Sequence, residues 1–265
     1  MKTSKVLAVL LAAASALALL TGAVAVPILC RPFYYAHIGP LELEERTGLA
    51  REEIETAFNE MLDYCLGRTE DFSTGVLRWS ESGKSHFTDV RGLFLLDLWA
   101  LGGSLCALAA LGTVMRRGGL RPALLLGRRP AFWAGAGLGG TFLLVGALAA
   151  LDFNRAFVIF HALFFPGKDN WMFDPAADQI INILPQEYFR SCALLILALL
   201  VLGCGVLIAA GMMGTGGRKK FCTNLKNLER TFDISNDVWY NTVVSRKCIA
   251  SHPSRDDFGR SLRYG

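Results

Sequence analysis

The stretch SCALLILALLVLGCGVLIAAGMM, residues 191–213, contains no charged residue. At 1.5 Å per helical residue it is long enough to cross about 30 Å of hydrocarbon. Three further stretches read the same way, Val6–Val26, Gly92–Val114 and Ala131–Leu151, with Asp97 the one acid inside them. Backbone groups in hydrocarbon must bond to one another, and continuous apolar runs of this length do so as helices rather than as alternating barrel strands. The 52% apolar content of the 265-residue chain is concentrated in these runs. The sequence therefore predicts an all-α membrane protein, a four-transmembrane-helix bundle over residues 1–213. The small residues of AFWAGAGLGG, 131–140, suit close helix packing rather than a ligand site.

The net charge is only +4, so basic residues matter by position. Lys2 and Lys5 precede the first run. Arg116, Arg117, Arg121, Arg128 and Arg129 fill the connection between the second and third, and Arg218, Lys219 and Lys220 follow the fourth. Four crossings place all three clusters on one side, which the positive-inside rule makes the cytoplasm. Connections 27–91 and 152–190 then lie outside. The first carries Glu42, Glu44, Glu45, Glu52, Glu53 and Glu55, a charge that argues against nucleic acid as a partner. Ala23-Val24-Ala25 also resembles a signal-peptide cleavage site, the competing reading of the first run. The seven cysteines show no CxxC or metal-finger spacing and read as small apolar residues. Cys30 and Cys65 are close enough to the outer face to meet, but no spacing requires it.

From Leu41 to Leu66, Leu43, Leu49, Ile54, Ala57, Phe58, Met61, Leu62 and Cys65 recur at helical spacing between acids. Thr47-Gly-Leu-Ala-Arg-Glu-Glu reads as a turn and a helix start. This predicts an amphipathic helical cap, extracytoplasmic and at the membrane interface, resting on the bundle. Chemistry gathers in two places. SHFTDV, residues 85–90, sets His86 and Asp89 three apart before the second run, where one helical face would let the carboxylate hold the imidazole. Asp97, about two turns further on, is expensive inside a span unless paired or facing a wet cavity. The second segment, 152–190, is too polar to span. Its Phe164, Phe165, Trp171, Tyr188 and Phe189 suit the headgroup layer, while His161 lies among acids at the depth of His86.

SHFTDV, followed by FHALFFPGKDNWMFDPAADQIINILP at 160–185, resembles a family of four-span bacterial membrane proteins that includes the lipoprotein intramolecular transacylase. The resemblance covers about residues 1–213. It implies an acyltransferase of the cell membrane that needs no cofactor or metal. Its partners would be a diacylated lipoprotein and membrane lipid. The sn-2 acyl chain of the diacylglyceryl-cysteine would move to the cysteine's own α-amino group. It further implies that His86 and His161 are catalytic, with Asp89, Trp171, Asp174, Asp178 and Asp97 supporting or binding substrate. Chemically, a histidine with pKa near 6.5 can accept the proton of an α-ammonium whose pKa is about 7.7–8.0.

Two other classes compete. A metal-dependent lipid hydrolase would use the same histidines and acids as ligands, and a non-catalytic scaffold or transporter subunit would need them only for packing. Residues 214–265, polar and basic with Lys226, Arg230, Arg246, Lys247, Arg255, Arg260 and Arg263, read as a separate cytoplasmic tail without regular structure. His252 within it and His37 read as uninvolved.

Overall fold

The computed structural model describes residues 3–212; the expectations for the basic tail and His252 lie outside the described residues. Four helices are long and apolar enough to cross a membrane: α1 (Lys5–Leu29), α5 (Glu81–Gly118), α6 (Pro130–Leu151) and α8 (Gln186–Met212). Each covers the run expected from sequence, α8 as far as Met212, the last described residue. α1 packs along α5, α6 and α8, and α6 packs most extensively along α8. Glycine makes that last approach possible: a Cβ on Gly135 would lie 2.7 Å from the Cys204 carbonyl oxygen, whereas Gly137 and Gly140 face open space. A short parallel pair, β1 (Thr3–Ser4) with β2 (Arg121–Pro122), ties the start of α1 to the α5–α6 connection.

Between α1 and α5 lie α2 (Arg31–Ile38), α3 (Leu43–Thr47) and α4 (Arg51–Cys65). The turn read at Thr47-Gly48 is present, with Gly48 left-handed at φ 69°. The amphipathic face is also present. Ile54, Ala57, Phe58, Met61, Leu62 and Cys65 pack into a protein core with Tyr34 and Ile38 of α2 and with Ile180, Ile183, Leu184 and Tyr188, rather than onto lipid. Tyr34 and Phe58 stack at 3.7 Å, and the buried Tyr34 hydroxyl donates to the Ile183 carbonyl. Cys65 is buried and Cys30 exposed, both as free thiols.

The largest departure is α5. At 38 residues it is about 57 Å long, nearly twice the hydrocarbon thickness, so its first ten or so residues project beyond the apolar stretch 92–114. Ser80 caps it, accepting from Gly83 N. Asp178, only 4% exposed, accepts from both the Ser80 amide and the Ser80 hydroxyl. Segment 152–190 also contains a helix, α7 (Phe153–Phe164), capped by Asp152, which accepts from Arg155 N. Its exposed Val158, Ile159, Phe160, Leu163 and Phe164 form an apolar surface suited to a lipid boundary. Phe165 and Tyr188 are not part of such a belt, because both are buried.

Candidate functional site: a histidine pair

His86 stands on the projecting part of α5 and His161 on the last turn of α7, and the two imidazoles face each other with centroids 5.9 Å apart. Both residues are buried, at 6% exposure each. Aromatic side chains build the walls. Phe165 and Phe173 meet the His86 ring edge-on at 4.9 and 5.3 Å. Phe157 and Trp171 hold His161 at 4.3 and 4.4 Å, the Trp171 ring stacked upon it. His161 Nδ1 lies 2.8 Å from the Phe157 carbonyl. A carbonyl only accepts, so Nδ1 carries the hydrogen and Nε2 is left with a free lone pair.

The loop after α7 is tied back to α5. Asp89 Oδ1 pairs with Lys168 Nζ at 2.6 Å, and Asp89 Oδ2 accepts from Asn170 Nδ2 at 3.2 Å. Asn170 also donates to Ser85 Oγ. Asp89 therefore does not bond to His86, although it lies one turn away on the same helix. Its partners come from the loop, and its charge reaches the imidazole through space. Trp171 Nε1 donates to the Lys168 carbonyl.

These surroundings set the charge states. Burial pushes His86 down to about 4, with His161 and Lys168 acting in the same sense against Asp89 and Asn170. Burial also lowers His161, opposed by the Phe157 carbonyl. Both imidazoles are thus neutral at neutral pH. Burial works against the Asp89 carboxylate, but Lys168 and Asn170 outweigh it and hold Asp89 below the usual carboxylate range. The buried His86 Nδ1 and Asn170 Oδ1 have no hydrogen-bond partner.

The remaining sequence candidates are placed elsewhere. Asp174 is exposed and shapes a turn, accepting from Ala176 N and, through its carbonyl, from Ala177 N and Asp178 N. Asp178 serves the α5 N-terminus. Asp97 lies 11 residues along α5 from His86, about 16 Å at helical rise, with Oδ2 buried and unpartnered. His37 belongs to α2, bonded to the Phe33 carbonyl and packed on Phe33 and Tyr188. Among the described residues, no cluster of three His, Cys, Asp or Glu is arranged to hold a metal. Sequence reading missed Lys168, Asn170, Phe165, Phe173 and the Phe157 carbonyl. The signal for Phe157 was its i−4 spacing from His161.

A pair of buried imidazoles is thus carried by a helical, membrane-integral protein with four candidate spans. The chain belongs to the family described as lipoprotein intramolecular transacylase Lit, whose model matches residues 9–189. Its fold is shared with the crystallised transacylase Lit from Bacillus cereus, at 22% identity and a TM-score of 0.67, covering 77% of this chain and 92% of that one. A variant of that protein with a histidine replaced by alanine aligns at 19% identity and a TM-score of 0.66, covering 82% and 94%. No curated protein matches the chain.

Proposed function

We propose that this chain is an acyltransferase of the cytoplasmic membrane that moves the sn-2 acyl chain of a lipoprotein's N-terminal diacylglyceryl-cysteine to the cysteine α-amino group. Both termini lie in the cytoplasm, and the helical cap and histidine pair lie outside, as the basic clusters favour. The observation that carries the reading is the convergence of His86 and His161, 75 positions apart in sequence, as neutral imidazoles 5.9 Å apart.

His161 is the base in this reading. Its Nε2 lone pair is left free by the Phe157 contact, and His86, held near 4, is the weaker acceptor. The substrate ammonium gives its proton to His161, and the freed amine attacks the sn-2 ester carbonyl. His86 donates an N–H to the developing oxyanion. His161, having passed that first proton to solvent, takes the second from the attacking nitrogen and gives it to the glyceryl oxygen as the carbon–oxygen bond breaks, so that one proton is released per turnover. One ester is exchanged for one amide, and neither water nor a protein nucleophile is consumed. Amine and ester belong to one molecule, so holding them together contributes much of the acceleration. Phe165, Phe173 and Trp171 keep bulk water from the pair, while Asp89 and Asn170 fix the loop that carries Trp171.

Mass spectrometry of a diacylated lipoprotein's N-terminal peptide tests this in cells expressing the chain or its His86→Ala or His161→Ala variants. Acyl migration to the α-amino group with the parent chain, lost in both variants at equal membrane abundance, is the expected result. Migration that persists in either variant removes that histidine from the mechanism.

A further inference from the structure

An ammonium group already sits beside the histidine pair. Lys168 Nζ lies 2.6 Å from Asp89 Oδ1, and Asp89 follows His86 by one helical turn. The two oxygens of Asp89 are engaged differently. Oδ2 accepts from Asn170, an amide fixed in the loop that also contacts Ser85. Oδ1 is held by a flexible side chain that is 47% exposed. Displacing Lys168 would leave the carboxylate oriented by Asn170, with one oxygen free for an incoming ammonium that replaces the counter-charge Lys168 supplied.

The chemistry of the reaction proposed above requires such a group. Its substrate arrives as an α-ammonium, which must be recognised while charged and then presented to an imidazole. A neutral histidine pair offers the ammonium no counter-charge. Asp89 is the carboxylate that acts on His86 through space, and it projects from the same helix. We propose that Asp89 is the recognition group for the substrate's α-ammonium, and that Lys168 is a resident placeholder the substrate displaces. This inference rests on the transacylase reading and adds to it a residue that selects for a free, charged N-terminus. Lys168 returns to Asp89 after acylation, since the product amide carries no charge. It thereby helps to expel product and disfavours a second encounter with an N-acylated lipoprotein.

A half-exposed ion pair is weak enough to be displaced, and its apparent effect on substrate affinity is that of an internal competitor. The ordinary view of the same contact is that it only pins the loop. The two views differ in sign. If Lys168 competes, Lys168→Met lowers KM for a synthetic diacylglyceryl-cysteine peptide by about two- to five-fold; if it pins, the variant raises KM or lowers kcat/KM.

The experiment measures KM with purified full-length enzyme in detergent. It also measures inhibition by the desamino analogue of the same peptide, which retains both acyl chains but lacks the ammonium. With Lys168→Met, KM for the amine peptide falls while inhibition by the desamino analogue stays at the wild-type value, which also reports that the site remains folded. Lys168→Arg keeps the ion pair and behaves as wild type. Asp89→Asn raises KM and erases the preference for the amine peptide over its desamino analogue. An unchanged or raised KM in Lys168→Met, or a preference that survives Asp89→Asn, overturns the proposal while leaving the transacylase reading standing. Absence of N-acylation by the wild-type enzyme overturns both.

Discussion

Gly83→Ala sets helix propensity against one specific contact. In an exposed helix interior, replacing glycine by alanine stabilises by about 0.5–1 kcal/mol. At Gly83 the added methyl would overlap Asp178 Oδ1 and lie 2.7 Å from Asp178 Cγ and 3.3 Å from Phe173 Cε1. Asp178 cannot yield without leaving its post, because its two oxygens hold the Ser80 amide and hydroxyl. Hydrogen bonds to a charged group contribute about 1.5–3 kcal/mol each. Losing both, less the propensity gain and some rehydration of the carboxylate, leaves a net destabilisation of about 2–4 kcal/mol. Thermal unfolding in detergent micelles reads the loss directly. Activity falls with it, since His86 lies three residues further along the same projecting turn. Gly92→Ala, with open space around it, should be neutral or slightly stabilising. The decisive comparison is the double variant. Once Asp178→Ala has removed the obstacle, adding Gly83→Ala should cost little, so the two single losses should not add. A Gly83→Ala protein as stable as wild type, or strictly additive losses, would refute the reasoning.

The low pKa of His86 makes stability depend on pH. Between about 4 and 6.5 the folded imidazole stays neutral while the unfolded one binds a proton, so stability declines as pH falls from 6.5 towards 4, by about 3 kcal/mol in all; His86→Phe should remove that share of the slope in unfolding scans across the window. Trp171→Leu removes the ring stacked on His161 at 4.4 Å and should lower kcat/KM about ten-fold or more by loosening the imidazole, with the unfolding temperature little changed because Trp171 is partly exposed; wild-type kcat/KM would dismiss the stacking as a positioning contact. Gly135→Leu should force α6 from α8 and reduce folded yield in the membrane, whereas Gly140→Leu should be tolerated; similar yields for the two would contradict the packing read from Cys204, Leu207 and Ile208 around Gly135.

The four spans were legible because hydrocarbon imposes a length and forbids charge, and both conditions are local to the sequence. Where α5 begins was not legible. Apolar character begins at Gly92 and the helical spacing of His86 and Asp89 reached back to about Ser85, but the helix starts at Glu81, after Ser80 clamped by a carboxylate 98 residues away. Asp89 shows the same limit. Helical spacing correctly set it beside His86, and from spacing alone the imidazole was the natural partner. The partners it took, Lys168 and Asn170, are 79 and 81 residues distant. The amphipathic face of α4 was read correctly as a face, but periodicity does not say whether lipid or protein covers it. Phe165 and Tyr188 were misassigned for a related reason: an aromatic ring near a span end is equally at home in headgroups or in a small protein core.

That small core explains how a membrane protein positions two side chains closely. The spans leave many large apolar side chains facing outward, where fluid lipid covers them and fixes no orientation. Rigidity at the histidine pair has to come from groups outside the hydrocarbon. The projecting end of α5 is held at three levels: Asp178 at Ser80, the Tyr64 hydroxyl on Thr88 at 2.8 Å, and Arg91, which donates to the Thr69 carbonyl and lies over the Tyr64 ring. His86 lies between the first and second of these. His161 is held from the other side, by its own helix through the Phe157 carbonyl and by Trp171. The two imidazoles thus belong to separately braced elements, joined across the site chiefly by Asp89 and the loop carrying Lys168 and Asn170. Asn170, bonded to both Asp89 and Ser85, holds that loop independently of the Lys168 ion pair, so the Trp171 ring it carries stays on His161.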